Sequence, residues 1–238
     1  MITIPETTKP AVLYKYYPPE RIDIIESQDL RFSAPREFND AFDSYHLLPR
    51  SSDVKANVER MKLRNELGIL CLTERADNQT MWVNYAKNHT GFVMGFDPSS
   101  PFFCSDGRVL RRVIYQDRPP IFPTADDNAC FYKAPAWHDE QEWRCIKRFS
   151  LKESRLVGFD WPLVREIIFG SKIDRSLISR IVNIVTAYAP YGAAPTYSFS
   201  TLSLSDWRIV NRPKRLTMCE HCGGEGYIEE DGAAVAST

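Results

Sequence analysis

Residues 68–97 read GILCLTERADNQTMWVNYAKNHTGFVMGFD, and the parsing of this stretch decides the fold. Gly68 to Thr73 is a compact apolar run whose length suits a strand. Asp77 or Asn78 then offers a cap for a helix through Met81, Trp82, Tyr85 and Ala86, positions that share one helical face. Gly91 to Asp97 follows, and its apolar content with two glycines predicts a central strand with close backbone neighbours. Strand, helix and strand in one short segment predict an α+β protein, a central mixed sheet flanked by helices.

Working outward toward the N-terminus, Ala11 to Tyr17 reads as a strand stopped by Pro18-Pro19. Arg21 to Gln28 reads as a short helix carrying Ile22 and Ile25, and Leu30 to Ser33 as a strand ending before Pro35. Asn39 to Asp43 is loop-like. Asp53 to Leu67 predicts a surface helix with Ser51, Ser52 or Asp53 as N-cap, Val54, Val58 and Met61 on its narrow apolar side and Leu63 off that stripe. Toward the C-terminus, strands are expected at Val109 to Tyr115, Trp143 to Phe149 and Val164 to Phe169. Asp174 to Tyr188 is an amphipathic helix with Leu177, Ile178, Ile181, Val182 and Val185 inward, and Thr196 to Ile209 reads as a polar edge strand. From Thr217 the composition turns to Gly, Ala, Glu and Ser. The expected organisation is a leader over 1–10, a single α+β domain over 11–216 and a flexible tail over 217–238.

Thirty basic against 31 acidic residues give a formal net charge of -1, so the charge does not indicate a nucleic-acid partner. The opening segment has no uninterrupted apolar stretch of the signal-peptide kind, and no run approaches the roughly 20 apolar residues that span a bilayer. A cytoplasmic protein without a membrane partner is expected. Cys71, Cys104, Cys130 and Cys145 stand singly among apolar or aromatic neighbours, as buried thiols of a reducing compartment do. Cys219 and Cys222 form one Cys-x-x-Cys pair followed by Gly-Gly-x-Gly, half of a zinc repeat. A structural zinc takes four ligands, so either zinc is completed from elsewhere or the pair is a free, oxidisable dithiol.

Four clusters gather polar and aromatic residues: Leu13-Tyr14-Lys15-Tyr16, the run from Phe38 through Asn39 to Asp43, Met81-Trp82 through Tyr85-Ala86 to His89 and Gly91, and Trp137 through Glu140-Gln141-Glu142 to Arg144. Their order resembles the bacterial family catalogued as domain of unknown function 2971, whose members read LYKY, FNDPFD, MW-x-x-YA-x-x-H-x-G and W-x-x-E-x-E-x-R. The resemblance covers roughly residues 11 to 189 and departs from the family at Ala41, where Pro is usual. The order of elements and motifs also looks like the ADP-ribosyltransferase superfamily, in which a late loop presents a catalytic Glu, often as Glu-x-Glu. That likeness implies an ADP-ribosyltransferase-like fold and NAD as co-substrate, with transfer of its ADP-ribosyl group or hydrolysis, in a toxin or phage-defence setting. Glu142 would hold a ribose hydroxyl and steady the oxocarbenium-like charge, and Glu140 would orient or deprotonate the acceptor. Tyr14 and Lys15 would contact ribose and phosphates, Ser33 the nicotinamide ribose, and Tyr85 would offer a stacking face. The macromolecular acceptor is not specified.

Each of these residues also has a plainer reading. Glu140 and Glu142 can mark a solvated strand start, with Glu142 and Arg144 making a local ion pair worth at most about 1 kcal/mol. Trp82, Tyr85 and Trp137 suit core or loop anchoring, and His89 suits a cap on a helix carbonyl. Asn39 and Asp43 suit loop-tying bonds, and Lys15 the polar face of a strand. Two other functions stay open: a non-catalytic domain that binds a nucleotide or a protein segment, and a hydrolase or nuclease using Glu140 and Glu142 with His89.

Overall fold

The computed structural model describes residues 8–40, 42–43, 47–48, 52–122, 124–190, 192–218 and 227–231. Among these residues the strands are β1 (Leu13–Tyr17), β2 (Asp29–Arg31), β3 (Leu67–Thr73), β4 (Phe92–Phe96), β5 (Val109–Arg112), β6 (Ile114–Tyr115) and β7 (Tyr132–Lys133). They continue with β8 (Glu142–Arg148), β9 (Leu156–Gly158), β10 (Val164–Phe169), β11 (Thr196–Leu202), β12 (Ile209–Met218) and β13 (Tyr227–Asp231). The α-helices are α1 (Asp23–Ser27), α2 (Val54–Glu66), α3 (Gln79–Asn84) and α4 (Arg175–Tyr188). The protein is therefore α+β with few helices. The elements fall into two compact units, one drawn from Met1–Ala11, Leu30–Glu74 and Pro98–Gly158, the other from Val12–Asp29, Arg75–Asp97 and Phe159–Thr238.

In the second of these units the strands run β13-β12-β11-β10-β4-β1. β10 and β11 are parallel, with α4 between them in sequence, while β1, β4 and β10 pair antiparallel, as do β11, β12 and β13, so the sheet is mixed. β4 (FVMGF) is buried along its whole length, which its unbroken apolar content requires of a strand covered on both faces. Gly91 and Gly170 flank this region because nothing larger fits: a Cβ would lie 2.0 Å from the Tyr17 carbonyl oxygen in one case and 2.2 Å from that of His89 in the other. Asp174 caps α4 by accepting from the Ser176 N–H, and the buried stripe is Ile178, Ile181, Val182 and Val185, as its spacing predicts, with Leu177 half-buried. α3 starts at Asn78, which accepts from the Met81 N–H at 3.0 Å, and it buries Trp82 completely.

One expectation fails in this sheet. The stretch read as a single polar edge strand, Thr196 to Ile209, instead supplies β11 and the start of β12, and β11 lies between two neighbours. Ser198 and Ser200 are 4% and 2% exposed, so the polar composition marks buried hydroxyls rather than an open edge. β12 and β13 pair through residues beyond 216, in the stretch read as a tail.

In the first unit β3, β8 and β5 lie side by side and antiparallel, with Thr73 opposite Glu142 at one end of the β3–β8 pair and Leu67 opposite Arg148 at the other. Two small sheets, β2–β9 and the parallel β6–β7, complete the strands. A core of Leu47, Leu63, Leu67, Ile69, Cys130, Phe131 and Ile146 sits beneath. α2 is capped by Asp53, as expected, but its apolar faces are exchanged relative to the sequence reading. Leu63 is 3% exposed and Arg60 is buried, its guanidinium donating to the Phe122 carbonyl at 2.7 Å, whereas Val54 and Val58 are 74% and 61% exposed. A helix of such mixed composition is oriented by its best-packed single leucine, not by a weak stripe.

Candidate functional site

The turn of 3-10 helix Pro135–Glu140 leads into β8 through Gln141, a non-glycine residue held in the left-handed region at φ 43°. The Thr73 hydroxyl fixes the turn by donating to the Glu140 carbonyl at 2.5 Å. Strand alternation then puts Glu142 and Arg144 on one face, and that face points inward: they are 4% and 0% exposed. The reading of a solvated strand start is thereby corrected. Every N–H of the Arg144 guanidinium has an acceptor. Nε and Nη2 donate to the two Glu142 oxygens at 2.8 and 3.0 Å. Nη1 and Nη2 donate to the two Asp43 oxygens at 2.8 and 2.6 Å, and Nη1 also reaches the Cys130 carbonyl at 2.6 Å. Lys133 closes the cluster, its ammonium 2.7 Å from Glu140 Oε2 and 2.9 Å from Glu142 Oε2. Its charge lies 4.7 Å from the Trp137 ring centre, and that of Arg144 lies 5.4 Å from the ring of Phe38.

The charges hold one another in place. Burial alone would raise the Glu142 pKa, but the adjacent Arg144 and Lys133 overrule it and bring it down to about 2. Burial pulls Lys133 down, yet Glu142 and Glu140 carry it above its ordinary value, and Arg144 is raised by the Glu142 and Asp43 carboxylates against the same burial cost. The Tyr115 hydroxyl accepts from the Glu142 N–H at 2.9 Å, and burial pushes that phenol up to about 12. Asp43 and the start of β8 are thus bound together through the ion pair of Asp43 with Arg144.

Other residues singled out in the first unit have plainer settings. Ser33 makes an isolated antiparallel bridge to Ile69 through its backbone, and Asn39 is exposed. In the second unit, Tyr14 and Lys15 point to opposite faces of β1. Tyr14 donates to Glu166 Oε1 at 2.8 Å, whereas the Lys15 ammonium lies 5.8 Å from the ring of Tyr17 on the other face. Trp82 is core, its Nε1 donating to the Ala76 carbonyl at 2.9 Å, and Tyr85 packs half-buried against the same cluster. His89, in the left-handed region at φ 68°, stacks on Trp82 at 5.6 Å between ring centres, and its own N–H donates to the Trp82 carbonyl. Among the described residues Nδ1 of the His89 ring is buried without a hydrogen-bond partner. Cys130 and Cys145 are buried thiols as expected, but Cys104 is exposed. Cys219 and Cys222 lie outside the described residues, among which no group of His, Cys, Asp and Glu is placed to hold a metal. No helix among the described residues is long and apolar enough to cross a membrane.

Three residues of these constellations escaped the sequence reading. Lys133 and Tyr115 sit in the short strands β7 and β6, too brief to show a pattern. Glu166 did leave a signal, a carboxylate next to Arg165 inside a strand, VREIIF, whose other residues are apolar.

No curated protein and no solved structure matches the chain. Residues 81–145 match the model of the family described as protein of unknown function (DUF2971), a span that runs from the Met81-Trp82 motif through Glu142 and Arg144.

Proposed function

We propose that the protein cleaves NAD and passes its ADP-ribosyl group to water or to an acceptor, with Glu140 and Glu142 as the working carboxylates of an ADP-ribosyltransferase-like fold. The observation that carries this reading is the convergence of both carboxylates on the single Lys133 ammonium, at 2.7 and 2.9 Å, from either side of the left-handed Gln141. Backbone held in a disfavoured region is retained where the surroundings over-determine it, and such positions concentrate at working sites. Asp43, Glu140 and Glu142 gather three carboxylates around Lys133 and Arg144. As the bond between C1′ of the ribose and the nicotinamide nitrogen breaks, its electron pair leaves with neutral nicotinamide and positive charge develops on the sugar. Glu142 supplies a fixed negative charge to stabilise it, and Glu140, whose side chain is 13% exposed against 5% for Glu142, takes the proton of the attacking water or acceptor.

A second reading is favoured by the saturation of Arg144 and the burial of Glu142: the cluster clamps the Phe38 to Asp43 loop to β8, and the domain binds a nucleotide or a protein segment without turnover. One experiment separates the two. Purified protein is incubated with NAD, and free nicotinamide is quantified for the wild type and for Glu140→Gln, with melting curves recorded in parallel. The enzymatic reading expects release by the wild type and loss of about 100-fold or more in Glu140→Gln, whose melting curve still shows a cooperative unfolding transition. It is overturned by a wild type that releases no nicotinamide, or by a Glu140→Gln variant that releases it at the same rate.

A further inference from the structure

The second unit contains a carboxylate that no cation among the described residues neutralises. Glu166 is half-buried in β10, and among the described residues no lysine, arginine or histidine forms an ion pair with it; its neighbour Arg165 turns to Asp97 instead, at 2.5 Å. What Glu166 has is a neutral donor, the Tyr14 hydroxyl at 2.8 Å. The contrast with Glu142 is sharp, since that carboxylate is held by two cations.

The pair is built by a glycine. Tyr14, Gly95 and Glu166 are register partners across β1, β4 and β10, so their side-chain positions lie in one row across the sheet. A Cβ on Gly95 would stand 2.9 Å from Cγ of Glu166, 3.1 Å from Cε1 of Tyr14 and 2.8 Å from Cγ1 of Val12. With no side chain in the middle, the outer two close over it and meet. Burial and the neighbouring Glu166 together raise the Tyr14 phenol, which therefore stays protonated and can only donate to the carboxylate, not cancel its charge. Met81 and Tyr85, like Tyr14, pack half-buried against the cluster that contains Tyr16, Trp82 and Val93.

We propose that Tyr14 and Glu166, with Tyr85 packed against the same cluster as Tyr14, form a subsite for a planar organic cation. A partly desolvated carboxylate without a counter-ion favours an opposite charge brought to it, its free lone pairs accept N–H groups, and aromatic faces attract flat cations in particular. Two sources share that chemistry, the guanidinium of an arginine side chain and the pyridinium of a nicotinamide nucleotide. In the pyridinium case the subsite deepens the NAD reading and rests on it, whereas in the guanidinium case it stands alone.

The test is direct binding by calorimetry to the intact chain, without turnover, using 1-methylnicotinamide as the pyridinium, methylguanidine as the guanidinium, and uncharged nicotinamide as the control. One of the two cations binds about tenfold or more tightly than nicotinamide, and Glu166→Gln, an isosteric change at a half-exposed position, removes that preference. Gly95→Ala, which fills the space between the two side chains, weakens the same cation, and its far-UV spectrum and melting curve show whether the sheet has survived. Tighter binding of 1-methylnicotinamide assigns the subsite to the nucleotide, and tighter binding of methylguanidine assigns it to an arginine. The proposal is overturned if neither cation binds better than nicotinamide, or if Glu166→Gln keeps the wild-type preference. Cation binding in a protein that never cleaves NAD would remove the earlier reading and leave this one in place.

Discussion

Replacing Arg144 by methionine isolates the central physical claim about the buried cluster. Methionine keeps an apolar stem like that of arginine but lacks the guanidinium, deleting five donated hydrogen bonds and one positive charge. Asp43, whose side chain is 4% exposed, loses both of its bonds to the guanidinium, and Glu142 keeps only Lys133 as a cationic partner. Removing one member of a buried ion pair costs about 3–5 kcal/mol, because the charge left behind stays out of water without compensation. For a chain of this length, each kcal/mol moves the melting temperature by about 2–4 °C, so Arg144→Met is expected to melt roughly 6–20 °C lower. Urea titrations of wild type, Arg144→Lys and Arg144→Met provide the assay. Lysine restores the charge without the fork that serves two carboxylates at once, so its midpoint falls between the other two. An Arg144→Met cost below about 1 kcal/mol, the size of an exposed pair, would refute the account of the cluster as mutually dependent buried charges.

The same cluster predicts the acid limb of stability. Glu142 has its folded pKa lowered from 4.5 to about 2, so its contribution is complete above the unfolded value and is lost as pH falls from about 4.5 toward 2. Acid melting profiles of Glu142→Gln should therefore be flatter than wild type in that window, and parallel profiles would contradict the assignment. Gly91→Ala and Gly170→Ala each drive a methyl group into a backbone carbonyl, at 2.0 and 2.2 Å, and each should give a poorly folded protein where Gly107→Ala, with open space around it but φ of 70°, loses only about 1–2 kcal/mol. Trp207, fully exposed in the turn between β11 and β12, should tolerate serine within about 0.5 kcal/mol by urea titration. Elemental analysis of the purified chain decides between zinc and a free dithiol at Cys219 and Cys222, the expected signature of zinc being metal retained through dialysis and released by a thiol-modifying reagent.

How far the sequence discloses this molecule depends on whether the information is local. β4 and α4 were legible because one carries an unbroken apolar run and the other a complete helical stripe, and each pattern has a single structural solution. α2 and β11 were misread because their composition is mixed. In α2 the long-range contacts of Leu63 and Arg60 outvote three better-spaced apolar residues, and in β11 two serines are buried by strands that no local pattern announces. The site divides along the same line. Glu140, Glu142, Arg144 and Asp43 were found as members of motifs, but their burial, and hence the sign of their energetics, was not, because the neutralising Lys133 comes from a two-residue strand with no periodicity of its own. A charged motif in sequence is ambiguous between a solvated surface and a desolvated cluster until its counter-ions are placed. Here placement changes the conclusion twice. Glu142, read as exposed or catalytic, is held by two cations, and Glu166, which no motif marked, has the Tyr14 phenol and no cation paired with it among the described residues. If ligand recognition follows uncompensated charge rather than motif membership, Glu166→Gln will alter cation binding more than Glu142→Gln does, and that ordering is opposite to the one the sequence alone would choose.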